Sequence, residues 1–182
     1  MPPSRVMFIR HGEKPSADGS VSGVTFDGAP SADELSVRGW QRAGALVRFF
    51  APTAGGMAPG ISTPTQLLAP KPTVHVPSRR AGQTLTPLAE LLRLTVRADF
   101  SKGQEADLAA AIVSMSGTVL VAWEHKAIRA IATALAGEVG VPQVWPDDRF
   151  DMVWAFERID LAWAFRQVPQ LVLAGDSAEP ML

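Results

Sequence analysis

His11 and His125 each follow an apolar run and stand among charged residues: Val6-Met7-Phe8-Ile9 leads into Arg10-His11-Gly12-Glu13-Lys14, and Thr118 to Trp123 leads into Glu124-His125-Lys126. Between them in the chain, Ser78-Arg79-Arg80 follows Val74-His75-Val76. Histidine attacks as a nucleophile when one ring nitrogen is neutral and open while the opposite N–H is fixed by a carbonyl or carboxylate, and a neighbouring cation such as Arg10 disfavours the imidazolium. Arginine offers a planar fork that grips two oxygens of an oxyanion at once. Histidines, arginines and carboxylates gathered in one cleft are costly without an anionic ligand or a chemical role. A phosphoryl group fits the set best, because its transfer depends mainly on positioning and electrostatics. His11 would attack, His125 would donate a hydrogen bond to the transferring group, and a carboxylic acid would protonate the leaving oxygen.

Such a constellation needs a scaffold that brings distant segments to one edge. Val6 to Ile9 and Thr118 to Trp123 read as buried strands whose functional loops follow at their carboxyl ends. Ser36 caps a helix with Trp40, Ala43, Val47 and Phe50 at helical spacing, stopped by Pro52. Gln66 to Ala69, Val74 to Val76 and Leu94 to Ala98 read as short strands. Ser78 to Leu92 reads as a helix, with a kink at Pro87 or a restart capped by Thr86. Helices are expected over Gln104 to Met115 and Lys126 to Leu135, and antiparallel strands over Met152 to Phe156, Leu161 to Phe165 and Leu171 to Leu173, with a turn at Arg158 to Asp160. Residues 15 to 34 read as a long loop with room for a small hairpin. Strands alternating with helices imply a mostly parallel sheet covered on both faces, with its ligand site outside the carboxyl ends of the strands.

Composition narrows the classes. The 182 residues include 47% apolar and 19% charged residues, with a mean hydropathy of +0.11, as a single folded domain over 1–182 requires. A net charge of -1 excludes a global basic field for nucleic acid or an acidic membrane surface. The chain has no cysteine, which removes disulfides and thiolate chemistry. No stretch approaches the about 20 apolar residues of a membrane span, and the N-terminal apolar run is too short for a signal peptide, so the expected location is the cytoplasm.

Arg10-His11-Gly12-Glu13 resembles the signature that opens the histidine phosphatases, the phosphoglycerate mutase-like superfamily. Arg80-Ala81-x-Gln83-Thr84 with Pro87-Leu88-Ala89 resembles that family's second-arginine segment, and His125 after an apolar strand resembles its second histidine. The resemblance covers residues 5 to 135 and implies a three-layer α/β/α sandwich, phosphoglycerate mutase-like, with a mostly parallel sheet and an antiparallel edge. It implies a phosphate pocket of Arg10, His11, Arg80 and His125, and a metal-independent hydrolysis of phosphomonoesters through a phosphohistidine, with no cofactor. Its substrate would be a small-molecule or phosphoprotein phosphate ester. Glu105 is the expected general acid, with Asp99 and Glu124 as competitors. Two departures bear on activity. The family's mutases carry Glu-x-x-Tyr-Gly, and this chain has no tyrosine; its acid phosphatases carry His-Asp, where here Lys126 follows His125.

Around that set, Lys14 and Lys126 would add positive charge at the pocket mouth, and Glu13 would bond His125 or a loop amide. Arg79 would point to solvent or pair with an acid, and His75 would be a strand residue at an edge or in the core. The tryptophans belong to the core, with Trp145 placed to line a pocket rim. A metal site from His11, His125 and Glu124 is conceivable by ligand type, but two arginines beside a dication argue against it. A phosphotransferase, and a non-catalytic module that binds phosphorylated ligands, are the alternatives. Oligomeric state is left open.

Overall fold

Side chains of strand β1 (Arg5–Arg10) alternate between two packed layers, and this is why the run is apolar without interruption. Val6 and Phe8 join one cluster, Met7 and Ile9 the other. Strand β4 (Thr118–Trp123) divides in the same way, Val119, Val121 and Trp123 against Leu120 and Ala122. The computed structural model describes residues 3–182; the first two positions of the expected 1–182 domain lie outside them.

The sheet is completed by β2 (Gln66–Leu68), β3 (Val96–Arg97), β5 (Met152–Ile159) and β6 (Ala162–Pro169), in the order β3-β2-β4-β1-β5-β6. β1 to β4 run parallel, while β5 pairs antiparallel with β1 and β6 with β5. Helices α1 (Val37–Phe50) and α2 (Arg80–Leu92) cover the face of Met7 and Ile9, and α3 (Glu105–Val113) and α4 (His125–Ala136) cover the other. The result is the expected three-layer sandwich with an antiparallel edge. Among the described residues no helix is long and apolar enough to cross a membrane.

Ser36 caps α1, its Oγ accepting from Gly39 N. The buried stripe of α1 is Gly39, Arg42, Ala43, Leu46 and Phe50, so the core face is rotated from the one that Trp40 and Val47 suggested. Arg42 is the cause: it is drawn inward by an ion-pair cluster, while Trp40 lies half-buried with its indole N–H donating to Val24 O.

Several expectations are corrected. Val74 to Val76 is not a strand; it is a loop between Pro72 and Pro77 with Val74 and His75 exposed, because Thr73 and Val76 bond each other's backbone and close the segment into a turn. Helix α2 passes Pro87 without a restart, and Thr86 acts within it, its Oγ1 donating to Gly82 O. Leu171 to Leu173 is a turn, since Val172 N and Leu173 N donate to Asp176 Oδ2 and not to a neighbouring strand. The β5–β6 turn is the pair Asp160 and Leu161, so Arg158 and Ile159 belong to β5 and Leu161 is not in a strand; Asp160 takes φ 55° in the left-handed region.

Candidate active site

β1 and β4 end in register, Arg10 opposite Trp123, so the residues that follow emerge side by side. His11 N donates to Trp123 O at 3.1 Å and seals that junction. A cleft opens there, lined by His11, Arg80, Ser78, Trp123 and Glu124, and by Pro70, Lys71, Val76 and Lys102 from neighbouring loops.

His11 is 6% exposed. Its Nδ1 lies 2.7 Å from Gly12 O, a contact that requires the proton on Nδ1 and leaves Nε2 as the basic nitrogen. Burial, with the charges of Arg10, Arg80 and His125, lowers the ring pKa to about 3 against the opposing bond to Gly12. The imidazole is therefore neutral at any ordinary pH.

Arg10 is wholly buried and fixed from one side: Nη1 donates to Asp147 O at 2.7 Å, Arg149 O at 3.0 Å and Pro146 O at 3.3 Å. The Phe150 ring lies under the guanidinium, 3.7 Å from Cζ. Nε and Nη2 are buried without a partner among the described residues. Burial lowers its pKa to about 10, which still keeps it charged.

Arg80 is the first residue of α2, its Nη1 on Ala32 O and its Nε buried without a partner. Arg79 is turned outward, its side chain 69% exposed and 3.8 Å from Glu34, as the sequence reading expected. The rest of the second motif holds the loop in place. Thr84 Oγ1 accepts from Gly12 N at 2.8 Å and donates to Arg80 O at 2.7 Å, while Gln83 bonds Leu35 N and Glu34.

His125 is the first residue of α4 and is 5% exposed. Its Nε2 lies 2.5 Å from Asp147 Oδ1; its Nδ1 is buried without a hydrogen-bond partner among the described residues, 3.7 Å from Glu124 Oε1. Burial lowers the pKa of this ring despite the Asp147 bond. The N-termini of α2 and α4 both start at the cleft, and neither has a side-chain cap. Uncapped N–H groups and the helix dipoles favour an anion there.

The acids are distributed unevenly. Glu124 lines the cleft, its Oε2 3.0 Å from Lys102 Nζ. Glu105 Oε1 accepts from Trp123 Nε1 at 3.2 Å and Gly103 N at 3.1 Å, outside the cleft lining. Asp99 pairs with Arg97 at 2.6 Å on the surface. Glu13 bonds neither His125 nor a loop amide; it accepts from Arg42 and Arg38. The arginines of α1 hold it away from His125. Lys14 is exposed and lies outside the cleft lining, and Lys126 is exposed beside His125 in a hollow that Trp145 also lines. Among the described residues, no group of three or more His, Asp or Glu side chains is gathered as a metal site.

Lys71, Lys102 and Asp147 were not singled out by the sequence reading. Asp147 stands two residues after Trp145, which was placed at a pocket rim.

No protein-family model matches the sequence, and no curated protein resembles it by sequence. Solved structures do. The crystal structure of a proposed alpha-ribazole-5'-P phosphatase from Escherichia coli aligns over 90% of this chain and 95% of that one, with a TM-score of 0.53 at 14% identity. The fold is phosphoglycerate mutase-like. Two further structures align over similar spans: the product of an open reading frame of Mycobacterium tuberculosis (92% and 97% of the two chains, 16% identity, TM-score 0.47), and the proposed phosphohistidine phosphatase SixA of Agrobacterium tumefaciens (90% and 95%, 14% identity, TM-score 0.48). Within the phosphoglycerate mutase-like sandwich of this chain, Arg10, His11, Arg80 and His125 stand at the carboxyl edge of the sheet or at helix starts beside it, but only His11 and Arg80 line the cleft; Arg10 lies buried behind it, and His125 lines the neighbouring hollow with Lys126, Trp145 and Asp147.

Proposed function

We propose that this chain is a single-domain, metal-independent phosphatase that hydrolyses phosphomonoesters through a phosphohistidine on His11. One observation carries the reading: a buried histidine, neutral because of burial and adjacent arginines, has Nδ1–H tied to Gly12 O and its other nitrogen left for attack in a cleft lined by Arg80. The unpartnered Nε and Nη2 of Arg10, the unpartnered Nε of Arg80 and the two uncapped helix starts supply donors for the phosphoryl oxygens.

In the first step, His11 Nε2 attacks phosphorus, the P–O bond to the leaving group breaks, and an acid donates a proton to that oxygen. Glu124 is the acid we favour, since it alone among Glu105, Asp99 and Glu124 lines the cleft with His11. In the second step, water attacks phosphorus, Glu124 takes the water proton, and the N–P bond breaks to release inorganic phosphate and neutral His11. The substrate would be a small-molecule or phosphoprotein ester met in the cytoplasm.

A non-catalytic binding module is the second reading, favoured by the engagement of Glu105 with Trp123 and of Glu124 with Lys102. Phosphate release from an aryl phosphate and from sugar, nucleotide and phosphoprotein esters, with chelator present, separates the two. Turnover is expected in the wild type and none in His11→Ala, with the fold of the variant intact by circular dichroism. Saturable binding without release in the wild type would establish the module, and release only with an added alcohol acceptor would establish a phosphotransferase.

A further inference from the structure

The loop over residues 145–150 reaches both halves of the proposed phosphate set. Its carbonyls hold Arg10 Nη1, and its Asp147 side chain reaches His125. Asp147 is 79% exposed, whereas the ring it touches is 5% exposed, so the carboxylate sits at the outer edge of a buried imidazole. The opposite nitrogen, Nδ1, is buried and without a hydrogen-bond partner among the described residues, on the side where the cleft-lining Glu124 stands at 3.7 Å. An imidazole beside a carboxylate keeps its proton on the nitrogen facing that carboxylate. The neutral ring then offers a bare Nδ1, which repels a phosphoryl oxygen. Only the doubly protonated ring offers Nδ1–H.

We propose that Asp147 is a positioning residue acting through His125: it fixes Nε2–H and supports ring protonation when a phosphoryl group enters, making Nδ1–H a donor to that group. The identity of the anion rests on the phosphatase reading. The proton is taken up from solvent, and no bond to phosphorus forms or breaks at His125. The charged and titratable groups around the ring are Asp147 on its loop, Glu124 at the α4 start, Arg10 at the end of β1 and His11 after it, with Lys126 and the Glu138-paired Arg129 of α4 lining the same hollow. Burial is the largest influence and opposes the imidazolium, as does Arg10, while the two carboxylates favour it; an arriving dianion adds to the carboxylates and shifts the balance toward protonation.

The test is imidazole nitrogen NMR of the full chain across pH, with and without inorganic phosphate, in wild type, Asp147→Ala, Asp147→Asn and Asp147→Glu. The chain has 3 histidines, so His75→Gln and His11→Gln complete the assignment. Wild type is expected to show the Nε2–H tautomer and an apparent His125 pKa that rises with phosphate. Asp147→Asn keeps the tautomer and loses most of the rise, Asp147→Ala loses both, and Asp147→Glu restores both. Phosphate should bind about tenfold more weakly to the Ala and Asn variants, as for other partners that orient a ligand-binding histidine. Phosphate bound to Asp147→Ala as tightly as to wild type, with the His125 titration unchanged, would overturn the inference alone. An Asp147-dependent tautomer in a wild type that binds no phosphate would overturn the donor role together with the phosphatase reading.

Discussion

Replacing Arg42 with methionine tests the packing behind the His11 loop. Arg42 is 2% exposed and donates from Nη2 to Glu13 Oε1 at 2.8 Å and to Asp176 Oδ1 at 2.7 Å, from Nε to both Glu13 oxygens, and from Nη1 to Gln170 Oε1 and Asp176 Oδ2. Methionine fills much of the same volume and supplies no donor, leaving Asp176, at 3% exposure, without its cation and Glu13, at 14%, with only the exposed Arg38. Removing one partner of a buried ion pair costs about 3–5 kcal/mol, and at about 2–4 °C per kcal/mol for a chain of this size the melting temperature should fall by about 6–20 °C. The pH dependence supplies the sign. Arg42 and the amides of Leu173 and Val172 hold the Asp176 carboxyl below its ordinary value. A depressed carboxyl stabilises the fold above its unfolded pKa of about 3.9 and loses that contribution as pH falls through its folded value. The gap between wild type and Arg42→Met should therefore be widest near neutrality and narrow below about pH 4. Urea unfolding followed by tryptophan fluorescence at several pH values measures it. A gap under about 1 kcal/mol, or one that does not change down to pH 3, would refute the reasoning.

Two further outcomes are expected. Gly39→Ala brings a Cβ to 2.4 Å from Glu13 O and 3.0 Å from Glu13 N, backbone atoms that cannot yield cheaply, so it should lose about 1–3 kcal/mol in thermal unfolding and lower phosphate release by displacing the loop after His11. Arg80→Ala should reduce phosphate affinity by a factor of about 10–100, the worth of a charge-assisted bond, whereas Arg79→Ala should change it less than about threefold, as a surface pair would; equal effects in isothermal titration would contradict the register.

What was legible in the sequence was whatever leaves a local mark. Uninterrupted apolar runs identify β1 and β4, because strands buried on both faces admit no polar position, and the loops at their ends could be placed from that alone. Ser36 marked the start of α1 by cap chemistry. The orientation of α1 was not legible, because Arg42 reads as a surface residue until Glu13 and Asp176, 29 and 134 positions away, are known to meet it. Val74-His75-Val76 carries strand residues, but Thr73 and Val76 bond each other's backbone and fold the segment into a turn between two prolines. The candidate site divided along the same line: Arg10, His11 and His125 were proposed from type and strand-end position and Arg80 from the motif resemblance, while Asp147 and Lys102 enter through loops whose positions depend on the closed fold. The acid was hardest to read, since Glu105, Asp99 and Glu124 differ only in what surrounds them.

The central place of β1 in the sheet sets an order for assembly. Its neighbours are β4, with Arg5 opposite Thr118, and β5, with Arg5 opposite Glu157. A nascent chain thus carries the His11 loop with no strand beside it until Thr118 and the residues after it have been made. The pairings that shape the cleft span more than half the chain, and closing such distant contacts is slow and exposes apolar edges meanwhile. The anion site should be among the last parts to form, so bound phosphate would report completion of the sheet as well as occupancy of the cleft.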